Sequence, residues 1–351
     1  MQRVSSRTQV FLEQFSYYCK VEELYECRFS WGKNGVKTLD SLYTYTRTAL
    51  VVLVVMFLST TCRAKGQTPN KPGDWAELAS FHYGINADIT YGVFNNTPVH
   101  LDVWENHAAK GPVPTLVYIH GGGWVFGAKG GAPNLFLPYV ARGWNIVNVE
   151  YRMAPNGMAP AAVQDSRCAL RWVYNNAATY HFDLNRIVLT GHSAGGHLAL
   201  ITGMLPADTD LDSACPVEST APPLKVAAIV NWYGITDVDD LLGGTDRKTY
   251  AIEWVGGANK HEIAKEVSPL TYVRSGLPPI ISIHGDQDPT VPYSQAVRLQ
   301  QALDHAGVKN KLVTIPGGSH GGYSDEQTLR AFHEIWDFLN GVLPGGSSVA
   351  R

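Results

Sequence analysis

The sequence predicts an α/β protein built on a mainly parallel sheet of about eight strands, with helices on both faces and a small lid at most. Three observations carry this. From about residue 82, short apolar runs alternate with amphipathic helical stretches, the order that a parallel sheet with crossover helices requires. The later runs are almost continuously apolar, as strands buried on both faces are. The first two instead alternate apolar and polar residues, as an antiparallel pair does.

Taken in order, "DITYGVF" (88–94) and "VHLDVWE" (99–105) flank "NNTP" and form that pair. "TLVYIHG" (115–121), "NIVNVEYR" (145–152), "RIVLTGH" (186–192), "AAIVNWYG" (227–234), "PIISIHGD" (279–286) and "KLVTIPG" (311–317) supply the buried strands. The stretch 159–180 spaces Val163, Cys168, Leu170 and Trp172 around a helix. A helix over 293–307 places Ala296, Leu299 and Leu303 on one face and stops at Gly307. The stretch 328–343 is amphipathic through Leu329, Phe332, Ile335, Trp336 and Leu339. Two segments, 206–225 and 239–276, interrupt the alternation near the ligand-binding edge of such sheets, and the second is long enough to form a small lid.

The N-terminal region differs in kind. Residues 1–46 are polar and irregular and read as a non-globular extension from a mis-assigned start. Residues 47–64 read as a secretory signal: Arg47, an apolar run from Ala49 to Leu58 too short to span a bilayer, and a small-residue exit at Ala64. The expectation is a secreted or periplasmic catalytic domain over 65–351, without stable membrane association. Cleavage would leave Cys168 and Cys215, whose pairing stays open. A net charge of −3 gives no basic face for nucleic acid, and 45% hydrophobic residues exclude a disordered chain. There is no Cys-x-x-Cys and no His-Glu-x-x-His, so neither a metal nor another cofactor is expected.

The chemistry gathers at strand ends. "GHSAGG" puts Ser193 between Gly191 and Gly195, after a buried strand and before a small-residue helix. That context fits a nucleophile elbow, where side chains flanking the serine would clash with strand and helix. "YIHGGGWVFG" (118–127) follows another buried strand, and Gly121, Gly122 and Gly123 leave backbone N–H groups unshielded as oxyanion donors, with Ala194 N–H joining them. No Gly-Lys-Ser/Thr follows, which argues against a phosphate loop. His320, on the glycine-rich loop "IPGGSHGGY", is the expected base. His120 and His284 end strands before tight turns, His192 should project away from Ser193, and His197 lies a helical turn on. In "SIHGDQDPTVP", Asp288 reaches further toward His320, while Asp286, the alternative acid, sits where it would brace the turn. Trp124, Trp232 and Tyr233 offer aromatic walls for substrate, with core packing the competing reading for Trp232.

With "VEYRMAP" added, these motifs resemble α/β-hydrolase carboxylesterases over about residues 80–343. The similarity is to bifunctional acetylxylan/feruloyl esterases, related in turn to hormone-sensitive-lipase-like esterases. The latter usually carry Asp where this chain has His192, and an N-terminal helical cap; only two strands and a short lead-in precede the glycine loop here, which favours the capless branch. The resemblance implies a Ser193–Asp288–His320 triad and hydrolysis of small-molecule or polysaccharide-linked esters, such as acetyl or feruloyl esters of plant polysaccharide. An arylformamidase-like amide hydrolase and a non-catalytic binding protein on the same fold are the competing readings.

Overall fold

The computed structural model describes residues 74–207, 209–213, 215 and 223–345. The extension at 1–46, the signal-like segment at 47–64 and much of the 206–225 segment lie outside the described residues.

A short helix, α1 (Asp74–His82), leads into a hairpin of β1 (Tyr83–Phe94) and β2 (Thr97–Asn106). The two residues between them, Asn95 and Asn96, both have positive φ. A type I′ turn demands this, and asparagine tolerates it better than most residues. Then come β3 (Val113–Ile119), α2 (Leu137–Val140), β4 (Asn145–Val149), α3 (Ala161–Asn175), β5 (Phe182–His192), α4 (Ala194–Met204) and β6 (Ala228–Trp232). After α5 (Thr249–Val255) and α6 (Lys260–Glu266), the chain ends in β7 (Ile280–Gly285), α7 (Ser294–His305), β8 (Asn310–Ile315) and α8 (Asp325–Asn340). All eight expected strands form.

They join in one sheet of order β1-β2-β4-β3-β5-β6-β7-β8, antiparallel at β1–β2 and β2–β4 and parallel elsewhere. Successive residues of β3 show why its run is continuous. Val117 and Ile119 enter one core with α3 and α4, and Leu116 and Tyr118 enter the other with α2 and α8. The α8 stripe behaves as expected through Phe332, Ile335, Trp336 and Leu339, but Leu329 is exposed. Ser324 and Gln327 close a capping box at the start of α8.

Cys168 on α3 is bonded to Cys215. Closing a loop across 47 residues stabilises the fold by about 4 kcal/mol on chain-entropy grounds. Beside it, the guanidinium of Arg167 grips the Asp212 carboxylate, so the same loop is tied twice. The 239–276 insertion folds as short 3₁₀ turns, α5 and α6 against the edge that carries the glycine loop.

Candidate active site

The turn at Ser193 is strained in a specific way. Its φ of 55° and ψ of −122° lie where a side chain is disfavoured, at a cost on the order of 1–3 kcal/mol. Two backbone bonds hold it there: Ser193 N–H donates to the Trp232 carbonyl at 2.9 Å, and the Ser193 carbonyl accepts from His197 N–H at 3.0 Å. The corner closes only because its neighbours are glycine. A Cβ on Gly195 would sit 2.0 Å from the Ile119 carbonyl oxygen. β3, β5 and the start of α4 therefore meet backbone to backbone.

Three side chains then form one hydrogen-bonded line. Ser193 Oγ lies 2.9 Å from His320 Nε2, and His320 Nδ1 lies 2.7 Å from Asp288 Oδ2. The other carboxylate oxygen, Oδ1, accepts the N–H groups of Thr290 at 2.7 Å and Val291 at 2.9 Å. Burial works to raise the Asp288 pKa, but hydrogen bonding from His284 and His320 and the backbone amides outweigh it and hold the carboxyl well below the usual range. Asp288 is thus an anion held in place beside the imidazole. Asp286 has the other job: its carboxylate accepts Gly317 N–H at 2.7 Å and braces the loop after β8.

The glycine loop faces the same corner. Gly122 has φ of +118°, and a Cβ there would overlap the Phe126 carbonyl oxygen. The Gly122 carbonyl is occupied by the N–H groups of Val125 and Phe126. Among the described residues, the N–H groups of Gly122, Gly123 and Ala194 have no hydrogen-bond acceptor. Free donors at the start of a buried helix, next to a serine oxygen, suit a developing oxyanion. The Gly121 carbonyl is engaged by His120 Nδ1–H at 2.7 Å and by the Tyr151 hydroxyl, and its Cα packs on the His192 ring.

Two aromatic expectations need correction. Trp124 is fully buried and lines no opening. Its positive φ of 61° accompanies a ring turned down into the core, stacked on Trp254 at 4.1 Å, with Nε1–H donated to His197 Nδ1 at 3.1 Å. Trp232 is 1% exposed and packs on Phe332 of α8, on the far side of the sheet. It serves the site only through its carbonyl. Tyr233, the next residue, bends back at φ 38° and lays its ring 4.8 Å from His320. β6 ends at Trp232, and the positive φ of Tyr233 aims its ring at the site instead of along the strand.

Sequence reading missed Tyr250 and Trp254 on α5. Tyr250 packs on the Cα of Gly123 and donates its hydroxyl to the Thr290 carbonyl at 3.1 Å, so it bridges the glycine loop and the loop of Asp288. The four-residue spacing of Tyr250 and Trp254 in "TYAIEWV" was the available signal for one inward helix face.

The BD-FAE family profile matches residues 101–303 of this chain. Esterase LipQ of Mycobacterium tuberculosis is 30% identical over 293 residues, covering 81% of this chain and 67% of that protein. The chain spans between about half and two thirds of the length of the first curated relatives it matches. Among solved structures, a truncated carbohydrate esterase from gut microbiota is similar at a TM-score of 0.61 and 25% identity, covering 73% of this chain and 97% of that one. Thermogutta terrifontis esterase 2 phosphonylated by sarin is similar at a TM-score of 0.63 and 28% identity, covering 74% and 95%.

Proposed function

Since this chain belongs to the BD-FAE family and is a carboxylic ester hydrolase with the α/β-hydrolase fold, we propose that it is a secreted serine esterase acting on acetyl or feruloyl esters of plant polysaccharide, with Ser193, His320 and Asp288 as its triad. The single observation that carries the triad is the line Ser193 Oγ, His320, Asp288, with contacts of 2.9 and 2.7 Å.

The chemistry follows from that line. His320 Nε2 takes the Ser193 proton as Oγ attacks the ester carbonyl. The carbonyl oxygen becomes an oxyanion facing the N–H groups of Gly122, Gly123 and Ala194; one such donor typically contributes about 2.7–4 kcal/mol to lowering the barrier. His320 returns the proton to the departing alkoxide, leaving an acyl-serine and a free alcohol. Water then repeats the attack, with His320 again the base, and releases the carboxylic acid. Asp288 holds the imidazole tautomer and offsets its transient positive charge. Tyr233 packs edge-on against the imidazole at 4.8 Å between centroids.

Two observations support secretion: the signal-like run at 47–64 and the Cys168–Cys215 bond, which is stable in an oxidising compartment. Polysaccharide as the substrate source is supported by the likeness to the gut-microbiota carbohydrate esterase. A panel of p-nitrophenyl acetate, p-nitrophenyl butyrate, methyl ferulate, acetylxylan and N-formylkynurenine tests the assignment. Turnover concentrated on acetyl and feruloyl esters is expected. Turnover of N-formylkynurenine with none of the esters would replace it by an amide hydrolase. A fluorophosphonate probe should label Ser193.

A further inference from the structure

Asp288 is contacted by two histidines. His320 Nδ1 lies 2.7 Å from Oδ2, and His284 Nε2 lies 3.2 Å from the same oxygen. His284 ends β7, is wholly buried, and faces the carboxylate from beneath the loop that carries it. Its tautomer is set by a neighbour. Nε2 lies 3.0 Å from the Val291 carbonyl, which can only accept, so Nε2 bears the proton. The same N–H therefore presents its positive end to Asp288. With the opposite tautomer a lone pair would face the anion.

Packing alone does not account for a histidine here. His284 Nδ1 is buried with no hydrogen-bond partner among the described residues. An apolar side chain of similar volume would avoid that cost. The ring also packs edge-on against Tyr293, at 5.8 Å between centroids, a contact that any flat or branched apolar group could make.

The geometry points to His284 as a positioning residue for ester hydrolysis, whose N–H holds the Asp288 carboxylate in line with His320 and draws off part of its negative charge. The consequence concerns how strongly Asp288 favours a charged imidazole. With His284 in place the carboxylate is shared between two rings and two backbone amides, so it supports the imidazolium without overstabilising it. Without that N–H, more of the negative charge falls on His320, the imidazolium form persists to higher pH, and the free base is reached later. The other titratable groups that face Asp288 are the hydroxyls of Tyr233, Tyr250 and Tyr323, each kept protonated by burial, with Asp288 itself adding to the effect. Lys248, just before α5, reaches across to the loop of Asp288 and donates its ammonium to the Pro289 carbonyl.

The inference rests on the triad proposed above, and the test separates the two. His284→Leu removes the N–H and keeps the bulk; His284→Gln returns an amide N–H at about the reach of Nε2. The pH profile of kcat/KM on p-nitrophenyl acetate is the readout. The leucine variant should lose about 10- to 100-fold in kcat/KM, mostly in kcat, with its acid limb moved to higher pH by about half a unit or more. The glutamine variant should bring the acid limb back and recover most of the rate. His284→Asn, too short to reach the carboxylate, should behave as leucine does, and is read in its place if leucine fails to accumulate. Rate losses that leave the acid limb unmoved in the leucine and asparagine variants, with no recovery in glutamine, would overturn the role of His284. Absence of fluorophosphonate labelling at Ser193 in the unaltered protein would instead overturn the triad beneath it.

Discussion

The loop that carries His320 and the layer of histidines buried beneath it use one residue type for opposite ends. His320 has a side chain 20% exposed, on a loop, with one nitrogen on a carboxylate and the other on a serine oxygen. His120 and His197 are buried, His192 is half-buried, and none of the three meets a carboxylate. Each is pushed down to a pKa of about 4, first by burial, so each is a neutral spacer. His192 Nδ1 pairs with the Tyr118 hydroxyl at 2.9 Å, and its ring fills the space beside Gly121. His197 accepts from Trp124 and donates Nε2–H to the Val267 carbonyl at 2.6 Å, linking the glycine loop to the end of the insertion. The difference teaches that a histidine next to a nucleophile in sequence need not act on it. What decides is whether the ring has a hydroxyl that can give it a proton on one side and an anion on the other.

The sharpest way to break the comparison is at the rim. Ser193→Ala should cut kcat/KM on the order of 10⁴- to 10⁶-fold, and Asp288→Asn about 10⁴-fold, with thermal midpoints near that of the unaltered protein. Residual activity within tenfold in either variant would mean that the line of contacts is not the catalytic one.

The buried layer predicts an effect on stability next in size. Unfolded histidines titrate near 6.5, and these three near 4 when folded, so the unfolded chain binds more protons between those values. Their contribution is complete above about pH 6.5 and is lost as the pH falls toward 4. Each adds up to about 1.4 kcal/mol per pH unit, so three together reach about 4 kcal/mol per unit at the steepest point. Urea midpoints should therefore drop steeply between pH 6 and pH 5 in buffers of equal ionic strength. A flat midpoint over that interval would show that these rings are already protonated in the folded state.

The smallest effect sharpens the boundary between the regions. Trp124→Phe keeps an aromatic ring but leaves His197 Nδ1 without its donor, at a cost of about 1–3 kcal/mol. KM for p-nitrophenyl acetate should stay within about twofold, because the ring lies below the site. A large rise in KM with unchanged stability would return Trp124 to the substrate wall.

Much of this was legible beforehand, for physical reasons that differ by residue. The eight strands were legible because period-two and continuously apolar runs are local signals. Ser193 was legible because the elbow needs glycine where backbones touch, and Gly195 against Ile119 is such a contact. Of the two aspartates in "HGDQDP", the one further from the strand meets His320, while Asp286 takes the turn. Trp124 and Trp232 were misread because proximity in sequence to a site does not say which way a ring points. A positive φ at one and strand alternation at the other send both rings into the core. Tyr250 was missed because its partner loops lie 127 and 40 residues away in the chain.

By itself, then, the sequence determined the sheet, the elbow, the order of serine, aspartate and histidine, and the positions where only glycine fits. These rest on local periodicity and on steric limits that hold within a few residues. Tertiary structure alone decided which histidines are spacers, that Cys168 and Cys215 meet, that Tyr250 spans two loops, and that Asp288 answers to a second imidazole. Those outcomes depend on burial and on distances between segments far apart in the chain, and a side chain's charge state and partners follow from both.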